Sequence, residues 1–214
     1  MENKKLIERA DLDFLLKYLN RLDGFSPTSI AISERPDFII TSERNTIGVE
    51  LTRAVYGEIV RAEKLHMSEC PNLWIDVTHL KDREARRSNE DILESMTNLS
   101  SQWKKTEDSA LEWKDKIANA LKSKREKYNQ SNFQVFGENW LLIRDNPSLP
   151  ASELWEGRAW RHLNNLFREA SGVARDFDTV FIHSGQFLFR WRNQELHLAD
   201  TELVRHLNLT NLAT

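Results

Sequence analysis

Glu34-Arg35-Pro36-Asp37-Phe38-Ile39-Ile40-Thr41, Ser42-Glu43-Arg44-Asn45, then Thr46-Ile47-Gly48-Val49-Glu50-Leu51-Thr52 is the stretch on which the reading turns. Two runs rich in β-branched and apolar residues flank a polar tetrapeptide. That pattern predicts an antiparallel hairpin. Asp37 opens the first strand and Glu50 lies inside the second. Pairing the strands brings these two carboxylates side by side near one end of a sheet. Two converging carboxylates and a nearby main-chain carbonyl suit a hard cation such as Mg²⁺ or Mn²⁺. A cation held that way activates water and offsets charge on a phosphate.

Working outward, Leu6, Ile7, Ala10, Phe14, Leu15, Tyr18, Leu19 and Leu22 recur at helical spacing, and Asp23-Gly24 ends that helix. Ser29–Ile32 is a short strand. Arg53–Leu65 reads as a helix with Ala54, Ile59, Ala62 and Leu65 inward. Leu73–Thr78 alternates like a strand, and 89–129 holds one or two helices without Pro or Gly. Trp140-Leu141-Leu142-Ile143 is a run suited to a strand buried on both faces. Ser152–Ala170 is a helix with Ser152 as its N-cap, Thr179–Ile182 a strand, and Phe187–Trp191 its hairpin partner. Helices and strands in this mixed order argue for an α/β fold, a mixed central sheet flanked by helices. No Gly-, Pro- or Ser-rich linker divides residues 1–214, so one domain is expected, with an insertion at about 72–106.

Composition narrows the function. The 214 residues carry 30 Lys plus Arg against 33 Asp plus Glu, a net charge of −3, which excludes a wholly basic nucleic-acid binder but not a local basic groove. The single cysteine, Cys70, excludes an internal disulfide and a Cys-rich zinc site. The six His form no HExxH pattern, and there is no GxxxxGK[ST], GxGxxG or GxSxG. No run approaches the ~18 apolar residues of a membrane span. MENKKLIERADLDF has no apolar signal region, so a cytoplasmic protein without a membrane partner is expected.

Pro36-Asp37, a hairpin-length gap, then Glu50-x-Thr52 after Gly48-Val49 resembles the PD-(D/E)xK nuclease superfamily, the restriction-endonuclease-like fold. "ERPDFIIT…IGVELT" is similar to a bacterial group with that fold, and "IANALKSKREKY", "NWLLI" and "FDTVFI" resemble its closing elements. The resemblance touches most of the chain and covers 72–106 least. It implies a metal-dependent nuclease acting on DNA. Asp37, Glu50 and the Leu51 carbonyl would hold Mg²⁺ or Mn²⁺, with Glu34 just upstream able to reach the same site. The family lysine should stand where this chain has Thr52. A displaced lysine would then serve: Lys64 on the following helix, or Lys124 or Lys127 on the long helix, with Lys124 preferred. The same three lysines are candidates for phosphate contact, although a Lys-Arg run is usually a solvated helix face. Nucleases of this fold often work as pairs, so a homodimer is compatible. The alternative is a catalytically inactive protein of the same fold that binds nucleic acid or a protein, since the lysine is missing from its usual place.

Overall fold

The computed structural model describes residues 2–71, 80, 87–97, 106–145, 157–169, 176–184 and 187–198. Among them are helices α1 (Glu2–Asp23), α2 (Gly57–Glu69), α3 (Asn89–Thr97), α4 (Thr106–Tyr128) and α5 (Arg158–Glu169). The strands are β1 (Ser29–Ile32), β2 (Phe38–Thr41), β3 (Thr46–Ala54), β4 (Glu138–Asp145), β5 (Thr179–Ser184), β6 (Phe187–Arg192) and β7 (Glu195–Leu198). The expected strand at Leu73–Thr78, the Ser152 cap and the chain beyond Leu198 lie outside the described residues.

The chain divides into two compact units. The first comprises residues 1–54 and 110–214 and contains one seven-stranded sheet in the order β1-β2-β3-β4-β5-β6-β7. β3, β4 and β5 run parallel, and every other neighbouring pair is antiparallel. The fold class is therefore mixed α/β. The second unit, Val55–Ser109, contains α2 and α3, which meet around Ile59, Ala62, Leu80, Ile92 and Met96. The expected insertion at 72–106 falls inside it.

Side-chain alternation sends successive β3 residues to opposite faces of the sheet. Val49 and Leu51 join Phe38, Ile40, Trp140, Leu142 and Phe181 in a core with Leu12, Leu15, Leu16 and Leu19 of α1. Leu141, Ile143, Val180 and Ile182 form the other core with Trp113, Ile117 and Leu121 of α4 and Leu163 and Phe167 of α5. β4 thus has apolar residues on both faces, as its continuous run predicted. Trp113 is buried in this second core, and Trp191, partly buried, packs against it. A buried polar tie sits at the ends of β4 and β5, where Trp113 Nε1 donates to Asp145 at 2.7 Å and Ser184 Oγ at 2.9 Å.

Two local expectations need correction. The second helix begins at Gly57, and Arg53 and Ala54 continue β3, because Ala54 is buried in the α4 and α5 core. In α1 the first turns face differently from the apolar pattern. Leu6 and Ile7 are 65% and 52% exposed and Ala10 is exposed, while Glu8 and Asp11 are buried. Charge explains the rotation: Lys5 pairs with Asp37 at 3.0 Å and Asp11 with Arg144 at 2.7 Å, partners that leucines could not satisfy.

Leu15→Ala should lower the unfolding free energy by about 2–5 kcal/mol, as for a fully buried leucine. Leu6→Gln should stay within about 0.5 kcal/mol. Urea denaturation measures both, and a reversed order would contradict this orientation of α1.

Candidate functional site

β2 and β3 pair with Phe38 opposite Val49. One step further along, Asp37 comes opposite Glu50. Two features hold Asp37 there. The Leu51 N–H donates to Asp37 Oδ2 at 2.9 Å, and the Ser33 N–H donates to the Asp37 carbonyl at 2.9 Å. Gly48 supplies the room. A Cβ there would stand 2.7 Å from Phe136 and 2.9 Å from Pro36, so only glycine lets the Pro36-Asp37 segment lie this close to β3.

Both carboxylates are more than nine-tenths buried. Each has its own lysine. Lys124 Nζ on α4 lies 2.5 Å from Glu50 Oε1. Lys5 Nζ on α1 lies 3.0 Å from Asp37 Oδ1 and 3.3 Å from Glu8 Oε2. Lys4 reaches the other Glu8 oxygen at 3.1 Å. Glu50 Oε2 is buried and makes no hydrogen bond among the described residues. A buried polar atom without a partner is costly and calls for a reason. An open carboxylate oxygen, with a second carboxylate near enough for its charge to act, fits a hard cation that retains some of its waters. Among the described residues no three His, Cys, Asp or Glu side chains group as a metal site. The expected set is the Asp37 and Glu50 side chains, the Leu51 carbonyl and Glu34, and Glu34 is exposed.

Burial pushes the Glu50 carboxyl above its usual value. The charge of Lys124 opposes that push, the charge of Asp37 reinforces it, and Lys127 opposes it more weakly. The net result is a raised carboxyl, a group whose charged form its surroundings disfavour.

The remaining expected residues are placed as follows. Thr52 is half-buried, two positions beyond Glu50 and so on the same side of β3. Leu51 buries its side chain toward α1. Lys127 is exposed at the end of α4, near enough to act on Glu50. Glu34 is exposed, with no ion pair to the site among the described residues. Lys64 belongs to α2, in the second unit. The neighbouring Arg125 is tied to Asp176. Lys5 and Glu8 are site residues that the sequence reading missed. Their signal is a charged stripe, Lys5, Glu8 and Asp11, at i, i+3 and i+6 on α1.

No family model, no curated protein and no solved structure matches the chain.

The raised Glu50 carboxyl has a definite consequence for stability. The folded state binds this proton more tightly than the unfolded state does. The associated stability is present below the ordinary carboxylate pKa and is lost as pH rises through the raised value. In chelator, Glu50→Gln should therefore raise the melting temperature at neutral pH, with the gain disappearing below about pH 4. Thermal melts across that range check it, and a loss of stability at neutral pH would contradict the sign.

Proposed function

We propose that the chain is a metal-dependent phosphodiesterase of the PD-(D/E)xK type with a restriction-endonuclease-like fold, acting on DNA. The observation that carries this reading is the Lys124 ammonium 2.5 Å from Glu50, with Asp37 one strand away and fixed by the Leu51 N–H. In the superfamily that the sequence resembles, a lysine accompanies the acid of the same strand. Thr52 occupies that place here, and the long helix brings a lysine to the same acid from elsewhere. Support also comes from the strand order, an antiparallel three-strand meander followed by two parallel strands.

Asp37 and Glu50 would hold Mg²⁺ or Mn²⁺, with the Leu51 carbonyl as the main-chain donor. When bound, such a cation lowers the pKa of water and offsets charge on the scissile phosphate. Lys124 favours the ionised form of Glu50 and would place a positive charge where negative charge accumulates on the phosphate oxygens. Lys127, exposed on the next turn, is suited to a flanking backbone phosphate. Hydrolysis adds water across one P–O bond and leaves a phosphate monoester and a hydroxyl.

A second reading has its own observation. Each carboxylate is already ion-paired with a lysine, so the same site could be a self-neutralised remnant on a fold that only binds nucleic acid or a protein. Activity separates the two readings. Plasmid and single-stranded DNA should be cut by the wild type in Mg²⁺ or Mn²⁺. Glu50→Ala and Asp37→Asn should abolish cutting, and Lys124→Met should lower kcat by roughly 10²–10³-fold. No cutting by any variant on either substrate would favour the binding protein. Equal cutting by all would place the chemistry elsewhere.

A further inference from the structure

Lys5 sits in a cage of oxygens. Its Nζ is 3.0 Å from Asp37 Oδ1, 3.3 Å from Glu8 Oε2 and 3.3 Å from the Ser33 carbonyl. The three oxygens come from the residue just before β2, from α1 and from the turn between β1 and β2. Two carboxylates and a main-chain oxygen converging on one point are the donor chemistry of a hard divalent cation. The occupant here is an ammonium. Each Asp37 oxygen accepts one hydrogen bond, Oδ1 from Lys5 and Oδ2 from the Leu51 N–H, which leaves each a lone pair for an ion shared with Glu50. Glu50 Oε2 has no hydrogen bond among the described residues.

We infer that Lys5 is a built-in cation, its ammonium filling the position a second divalent ion would take between Asp37 and Glu8, so that the site accepts one divalent ion, on the Glu50 side. The one-ion count rests on the reading of Asp37 and Glu50 as a cation-holding pair. The cage around Lys5 does not. An ammonium differs from a metal in two ways that matter here. It cannot acidify a water, and it never leaves. Chemistry at the site is thereby confined to the ion on Glu50, and Asp37 stays neutralised whether or not that ion is bound. An ion replacing the ammonium would draw the oxygens in, since metal–oxygen distances are about 2.0–2.6 Å.

The test is a Mn²⁺ titration of the full chain, reading free Mn²⁺ by electron paramagnetic resonance. The wild type should bind one ion, Lys5→Ala two, and Lys5→Arg one. Lys5→Ala should melt lower in chelator, because Asp37 loses its counter-charge, and added Mn²⁺ should raise its melting temperature more than it raises that of the wild type. Lys5→Met retains an unbranched apolar side chain and serves where the alanine variant does not fold. It should then gain helical circular dichroism on Mn²⁺ addition. One ion in all three proteins, or two in the wild type, would overturn the inference. So would a Lys5→Met chain that stays unfolded in Mn²⁺. No ion in the wild type and one in Lys5→Ala would keep the Lys5 cage and remove the metal from Glu50. No ion in any protein would overturn both.

Discussion

Two carboxylates taken out of water on neighbouring strands cannot stand alone. Asp37 and Glu50 repel each other, and each is costly to bury without positive charge beside it. The two lysines that meet this need come from opposite faces of the sheet. Lys124 reaches Glu50 from α4, and Lys5 reaches Asp37 from α1. Each helix also contributes apolar side chains to its own face of the sheet. The site therefore locks both helices in register, because a turn of either one would strand a buried charge as well as open a cavity. Removing the lysine from such a pair, which leaves a carboxylate buried without counter-charge, typically costs about 3–5 kcal/mol. The electrostatics of one small region thus reach both hydrophobic cores.

Much of the first unit could be read from the sequence because its strands carry strong local signals. The Phe38–Thr41 and Thr46–Ala54 hairpin, the run at Trp140–Ile143 and the hairpin starting at Thr179 all pair with chain neighbours or sit centrally between helices. The first turns of α1 were misread for a physical reason. Helical periodicity weighs only hydrophobicity, and Leu6 and Ile7 match it well. The face that is buried is instead the charged one, because its partners Asp37 and Arg144 lie far along the chain and are invisible to any local window. The same blindness placed Arg53 and Ala54 in a helix. Nothing nearby announces that β3 continues past Thr52 to match β4 through Asp145.

The site divides along the same line. Asp37 and Glu50 were accessible because a hairpin fixes which residues face each other. Lys124 was accessible only as one of three lysines, since a contact across 74 positions leaves no local trace. Glu34 was an inference from proximity in sequence, and its side chain is exposed. Lys5 and Glu8 were overlooked because charges on an N-terminal helix ordinarily face water.

The chain leaves the sheet at Ala54 and resumes its first unit at Ala110, between the residue that holds one end of the Glu50–Lys124 pair and the residue that holds the other. That excursion is a loop in the entropic sense. Closing a loop costs more only as the logarithm of its length, about 0.6 kcal/mol for each doubling. The segment 55–109 can therefore lengthen, shorten or be exchanged over evolution at little expense to the site. Synthesis imposes the opposite asymmetry. Lys5, Asp37 and Glu50 emerge from the ribosome first, and Lys124 follows only after the whole excursion has been made. The nascent chain thus carries an acidic centre with half of its counter-charge until the long helix arrives.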